Sequence, residues 1–279
     1  MRLKSASRTL VIALTAAGAL ALTGCGDGST DEPDGGTTKL KVGASPVPHG
    51  DILRFVQDNL AAGAGLNIEI VEYQDYILPN SALDQGDLDA NYFQHKPYLE
   101  DQIKENGYAF FAFPGIHIEP LGLYSVKHDS LDAVADGSKI GVSNDPANQA
   151  RGLWLLEDAG AIKLKDTGGA DPTISDLAED TPFKVELIQV EPKLLAVNLQ
   201  DFDFAVINGN YAIDADLSPA EDALEVESGA DNPYANILVT TSERQKDAAV
   251  AKLDELLHSP EVKKYIEDSW PDGSVIAAF

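Results

Sequence analysis

The chain has 279 residues, with 20 Lys and Arg against 46 Asp and Glu for a formal net charge of −26. A surface this acidic repels nucleic acid and anionic lipid headgroups, which excludes both as charge-driven partners. The single cysteine excludes an internal disulfide, and the length leaves room for two ordinary domains with hydrophobic interiors of their own.

Arg2, Lys4 and Arg8 precede an unbroken run of small and apolar residues from Thr9 to Leu22. The run has the length of a signal-peptide core and falls short of the roughly 20 apolar residues that span a bilayer. It ends in Leu22-Thr23-Gly24-Cys25, which resembles a bacterial lipobox, where the cysteine thiol receives a diacylglycerol and becomes the new N-terminus. Residues 1–24 are therefore read as a signal peptide and Cys25 as a lipidation site. The protein is expected on the extracytoplasmic face of a cell membrane. Processing would leave 17 Lys and Arg against 46 Asp and Glu, a net charge of −29, so membrane contact is expected through the lipid anchor alone. Residues 25–38 lack large apolar side chains and read as a flexible tether.

From Lys39 the pattern alternates between short strands and amphipathic helices. Lys39–Ala44 reads as a strand, Ile52–Leu60 as a helix, Asn67–Tyr73 as a second strand, and the Leu83–Leu99 region as mostly helical. Residues 116–126 read as an apolar strand broken by Pro120. Lys139–Val142 opens a second strand series, continued by Lys184–Val190 and Phe202–Ile207. Ala235–Thr240 is a late strand, and Ala248–Asp268 gives terminal helices. Two such series predict two α/β lobes with parallel sheets, the first from 39–125 plus 233–279 and the second from 126–232. The ligand is expected in the cleft between them.

No nucleophile elbow, Walker loop, dinucleotide fingerprint or His-Glu-x-x-His motif occurs, and with 46 carboxylates a chance pair of acids carries no information. The expectation is a protein without catalytic residues or cofactor. The five histidines, His49, His95, His117, His128 and His258, have no spacing that points to a metal site, so none is expected. His117 reads as a satisfied structural histidine and His258 as a solvated one.

Four segments stand out. Asp89–Leu99 crowds Tyr92, Phe93, His95 and Tyr98 together, which suits either a core face or the aromatic wall of a small-molecule pocket. Ser143–Arg151 reads as a helix start with Pro146 in its first turn. Arg151 is placed there either to clasp a carboxylate or to form a surface salt bridge. Phe204–Tyr211 puts Asn208 at a strand end, and Asn232–Asn236 leads into the late strand.

Together these segments resemble the methionine-binding lipoprotein family of MetQ/NlpA type, the substrate-binding subunits of methionine ABC importers. The match begins at Val42–Pro46 with His49, and continues through Asp75–Leu83, Gly86–Asn91 and Phe93–Tyr98. It then takes in Asn144–Asn148 with Arg151, Ile207-Asn208, Asn210–Ala212 and Asn232–Asn236. The resemblance implies a two-lobed periplasmic-binding-protein fold, type II-like, with the ligand in the inter-lobe cleft. It implies that Tyr76, Phe93, His95 and Tyr98 surround the thioether, and that Arg151 takes the α-carboxylate. Asn208 and Asn236 would hold the amino and carboxylate groups, with help from Asn144, while no acidic partner for the ammonium is evident in these motifs. Tyr92 departs from the small residue usual before the phenylalanine, as a surface ring or one that trims the pocket. L-Methionine is the implied ligand and an ABC permease with its ATPase the implied partner. D-Methionine, methionine sulfoxide or a methionine-containing dipeptide would suit nearly the same motif residues. Metal capture and an adhesin with an idle cleft are the readings from other classes.

Overall fold

In the computed structural model, which describes residues 37–279, the chain builds two mixed sheets within one compact unit. The signal segment, Cys25 and nearly all of the tether lie outside the described residues. Among those residues no helix is long and apolar enough to cross a membrane.

The first lobe opens with β1 (Thr38–Ala44) and α1 (Asp51–Val56), whose helical path continues to Ala64 and stops at Gly65, where φ is +70°. Then come β2 (Leu66–Glu72), α2 (Leu78–Asp84), β3 (Ala90–His95), α3 (Lys96–Asn106) and β4 (Phe110–Ile118). The second lobe holds β5 (Gly122–Tyr124), β6 (Lys139–Ser143), α4 (Pro146–Asp158), β7 (Glu186–Val190) and α5 (Pro192–Val197). It ends with β8 (Phe204–Ile207), α6 (Gly209–Asp214) and β9 (Glu225–Val226). The chain then returns to the first lobe as β10 (Asn236–Thr241), α7 (Ala248–Leu257), α8 (Pro260–Ser269) and β11 (Ile276–Ala277).

The strand orders are β11-β4-β10-β3-β1-β2 and β7-β6-β8-β5-β9. Strands joined through helices run parallel (β1 with β2 and β3, β6 with β7 and β8), while β4, β5 and β10, which carry the chain between lobes, pair antiparallel. The sheets are thus mixed rather than purely parallel, because the two crossings deliver strands without a helical crossover.

Two sequence expectations are corrected. The boundary after residue 125 moves back, because Gly122–Tyr124 pairs with β8 and β9 in the second sheet. Pro120, which has no N–H to donate, sits where the chain changes sheets. The Leu83–Leu99 region, expected to be mostly helical, contains β3 between two helices. All six residues of β3 are buried, since it lies between β1 and β10 with both faces covered, and so it shows no alternation to read.

Each lobe has its own core. Leu40, Val42, Ile52, Leu53, Ile116, Leu238, Leu253 and Ile266 fill the first, and Leu121, Leu123, Ile140, Val142, Leu153, Leu156 and Phe204 the second. Burying one such side chain contributes about 1.5–3 kcal/mol.

His258 closes α7 and is not the solvated residue expected. Its Nδ1 lies 2.8 Å from the Asp254 carbonyl and 3.2 Å from the Asp254 carboxylate, and its Nε2 lies 3.1 Å from the Gly115 carbonyl in β4. The hydrogen bond to Asp254 raises its pKa from 6.5 to about 8, against partial burial. A raised folded-state pKa adds stability that is complete below about 6.5 and lost as pH rises through about 8. His258→Gln should therefore remove on the order of 1 kcal/mol at pH 6 and little at pH 9, read from urea midpoints across that range.

Candidate functional site

The carboxyl ends of β3, β6 and β8 meet at the cleft between the lobes, and the groups that leave them form one small cavity of about 20 Å³. Tyr76, Phe93, Gln94, His95, Tyr98 and Asn236 line it from the first lobe. Asn148, Arg151, Asn208, Gly209 and Asn210 face them from the second, and Glu119 comes from the crossing between β4 and β5.

One end is aromatic. The ring centroids of Tyr76 and Tyr98 lie 5.8 Å apart, Phe93 and Tyr98 6.1 Å, and Tyr76 and Phe93 6.0 Å, with Tyr211 tilted by 34° against Tyr76 at 4.9 Å. The hydroxyls are anchored away from the ring faces, Tyr98 donating to the Tyr76 carbonyl (2.8 Å) and Tyr76 to Asn210 Oδ1 (2.5 Å). Burial raises the pKa of both hydroxyls, which stay protonated donors.

The other end is polar, and the orientation of its amides follows from Asp145. Asp145 caps α4, accepting from the Asn148 backbone N–H (2.9 Å) and from Asn148 Nδ2 (3.0 and 3.2 Å). A carboxylate only accepts, so Asn148 must turn its Oδ1 the other way. There it receives His95 Nε2 (3.1 Å) and Asn208 Nδ2 (2.8 Å). His95 Nδ1 accepts from the Tyr98 backbone N–H at 3.2 Å, which puts its proton on Nε2. Burial, then the Arg151 charge, lowers the His95 pKa to about 3, so the ring is neutral at ordinary pH. Asn208 thereby turns its Oδ1 to the cavity as an acceptor. Asn236 Oδ1 receives His49 Nε2 at 3.0 Å, leaving its Nδ2 as a donor.

Arg151 is buried. Its Nε and Nη2 hold Glu227 (3.0, 3.1 and 2.5 Å), Nη2 also donates to the Glu119 carbonyl (2.9 Å), and the guanidinium lies 4.3 Å over the Tyr234 ring. Its Nη1 engages no protein group among the described residues. A cation with one free N–H pair at a cavity wall can receive an anion.

Of the residues expected from sequence, Tyr76, Phe93, His95, Tyr98, Arg151, Asn208 and Asn236 come together here. Asn144 does not: it is exposed and lines an adjoining groove beyond Tyr76 and Tyr98, because Asp145, not Asn144, turns inward to cap the helix. Tyr92 is neither a surface ring nor a pocket wall. It is fully buried and hydrogen-bonded to His117 Nδ1. Sequence reasoning missed Asn148, Asn210 and Glu119. The first two lay inside quoted motifs without a role, and the third was one carboxylate among 46. His49, His117 and Glu119 also converge, their ligand-type atoms within 4.8 Å of one another, which the spacing did not reveal. His117 Nε2 hydrogen-bonds Glu119 Oε1 at 2.7 Å, and His49 Nε2, bonded to Asn236, lies 3.3 Å from the same oxygen.

Two α/β lobes joined by two crossings around a half-aromatic cavity define a solute-binding protein. The chain belongs to the NlpA lipoprotein family, whose model matches residues 40–279. It is 39% identical over 260 residues to the D-methionine-binding lipoprotein MetQ of Escherichia coli K12, covering 92% of this chain and 93% of that one. It is 38% identical over 253 residues to the methionine-binding lipoprotein MetQ of Bacillus subtilis 168, covering 89% and 91%. Among solved structures, a nutrient binding protein from Burkholderia cenocepacia bound to methionine superposes with a TM-score of 0.82 at 41% identity, over 86% of this chain and 100% of that one. Lipoprotein Tp32 from Treponema pallidum gives 0.81 at 34%, over 86% and 99%.

Proposed function

We propose that this chain captures methionine in the inter-lobe cavity, outside a membrane to which Cys25 anchors it, and delivers it to an ABC permease and its ATPase. The observation that carries the reading is the division of one cavity into an aromatic end and a cationic end. Tyr76, Phe93 and Tyr98 suit a polarizable thioether, each contact contributing about 0.3–1.5 kcal/mol. Arg151 Nη1 and Asn236 Nδ2 suit the α-carboxylate. The relatives named for methionine or its D-isomer, and the neighbour with methionine bound, support the same reading.

Closure follows from contacts that span the lobes: Tyr76 to Asn210, His95 to Asn148, and the Tyr211 hydroxyl to the Gln74 carbonyl at 3.2 Å. A ligand touching both walls biases the open–closed equilibrium toward the closed form. The act is capture and release, with no bond made or broken.

A thermal-shift panel of L-methionine, D-methionine, methionine sulfoxide, a methionine dipeptide, norleucine and zinc chloride tests this. A ligand at about 100 times its Kd adds about 2.7 kcal/mol, which raises Tm by roughly 5–10 °C for a chain of this size. L- or D-methionine should give that shift, and norleucine a smaller one. A shift with zinc alone, or none with any methionine, overturns the reading.

A further inference from the structure

We propose that the Tyr76–Asn210 hydrogen bond sets the longest side chain the cavity accepts, and that the groove beyond it takes the S-substituent of thioether amino acids longer than methionine. This limit presupposes the methionine capture proposed above, and it makes Asn210 a specificity-determining residue.

The aromatic end of the cavity does not close on the protein interior. Tyr76 and Tyr98 line the cavity on one side and an open groove between the lobes on the other. The cavity measures about 20 Å³ and the groove about 370 Å³, so two rings separate a tight space from a roomy one. Ile77, Pro146, Pro192 and Tyr211 give the groove apolar walls, and Glu105 and Glu191 stand at it with no lysine or arginine in the lining. Such a groove suits a neutral alkyl tail and disfavours one that ends in an anion.

The two rings are held differently. Tyr98 is buried on α3, and its hydroxyl donates to the Tyr76 carbonyl at 2.8 Å, which fixes it within the first lobe. Tyr76 lies on the turn between β2 and α2, next to Ile77, which is 62% exposed. Its ring is pinned at the tip, where the hydroxyl donates to Asn210 Oδ1 at 2.5 Å across the cleft. Asn210 is 4% exposed in the first turn of α6, and its side chain engages no other protein group among the described residues. The surface turn leaves Tyr76 room to swing outward, and Asn210 holds it in.

A tail longer than that of methionine meets the Tyr76 ring and must displace it to reach the groove. Displacement gives up one neutral hydrogen bond, a factor of about 2–10 in affinity. It also gives up the contacts of the ring with Phe93 and Tyr98, a similar factor. Together these disfavour the longer ligand by up to about 100-fold, of which the bond to Asn210 supplies up to about 10-fold.

The test is calorimetry with L-methionine and S-butyl-L-homocysteine, which share the α-amino acid end and differ only in the S-substituent. The wild type should prefer methionine by on the order of 100-fold. In N210A and in Y76F methionine should weaken by about 10-fold, while S-butylhomocysteine, which never makes the bond, changes little. The gap then narrows to about 10-fold. The double variant should match either single one, because both remove the same bond. Y211F removes a different lobe-spanning hydrogen bond, from the Tyr211 hydroxyl to the Gln74 carbonyl, and should weaken both ligands alike with the gap kept. A wild type that binds both ligands alike, a gap unchanged in N210A and Y76F, or a gap narrowed as much in Y211F overturns the proposal while leaving methionine capture in place. Absence of methionine binding in the wild type instead overturns the functional reading itself.

Discussion

Replacing Arg151 by alanine should abolish methionine capture at concentrations that saturate the wild type, a loss on the order of 3–5 kcal/mol. The expected size comes from what the guanidinium does at once. It offers Nη1 to the cavity, holds Glu227 through Nε and Nη2, donates to the Glu119 carbonyl, and lies over Tyr234. Glu119 and Glu227 belong to the two segments in which the chain crosses between lobes, so Arg151 on α4 ties the carboxylate anchor to both crossings. Alanine would leave the Glu227 carboxylate, 19% exposed, without its cation. Arg151→Lys should recover only part of the loss, because a single ammonium cannot reach Glu227, the Glu119 carbonyl and a ligand from one planar fork. Calorimetry gives the affinity and urea unfolding the stability. Unchanged affinity in R151A would remove this residue from the carboxylate site.

Asn148→Ala should have the second largest effect. Its amide joins Asp145 on one side to His95 and Asn208 on the other, and it makes the only hydrogen bond between His95 and the second lobe among the described residues. Removing it strands two buried donors, at about 1–3 kcal/mol each, and frees Asn208 to rotate its acceptor away from the cavity. We expect about 2–3 kcal/mol of lost stability and a 10- to 100-fold weaker grip on methionine. Asn148→Asp distinguishes packing from polarity. It has nearly the same shape, yet a second carboxylate beside Asp145, whose own pKa is already raised by burial, should be worse tolerated as pH rises. Equal behaviour of both variants across pH 5 to 8 would mean that the amide's hydrogen bonds are immaterial.

These two positions also mark where sequence reading stops. The strands at Lys39–Ala44, Lys139–Val142 and Phe202–Ile207 were legible because apolar runs bounded by turn residues announce them, and so were two lobes. Ala90–His95 was not, since a central strand covered on both faces loses its alternation. The aromatic wall was half legible: the cluster of four rings in seven residues drew attention to Phe93 and Tyr98, but the same cluster holds Tyr92, which packs in the core, and Tyr76 comes from outside it. The polar end was only half legible. Arg151 follows a recognisable helix start, but whether it meets a ligand or a surface acid is decided by Glu227, 76 positions away. Asn148 looked like one more polar residue of a helix N-terminus, and its role appears only when Asp145 fixes the amide's direction. Asn144 entered the site only through the resemblance, and of the polar residues before Pro146 it is Asp145 that turns inward as the cap. Glu119 could not be picked from so many acids, since what distinguishes it is two histidines brought in from residues 49 and 117.

The central claim is that a zwitterion with a thioether tail bridges the two lobes. Protein unfolded and refolded to strip any bound amino acid should, on titration with L-methionine, show one site with a Kd in the micromolar range or tighter. Its heat capacity change should be negative, from the apolar surface buried at the aromatic end. Absence of heat at micromolar methionine in folded protein, for both the L- and D-forms, would contradict it.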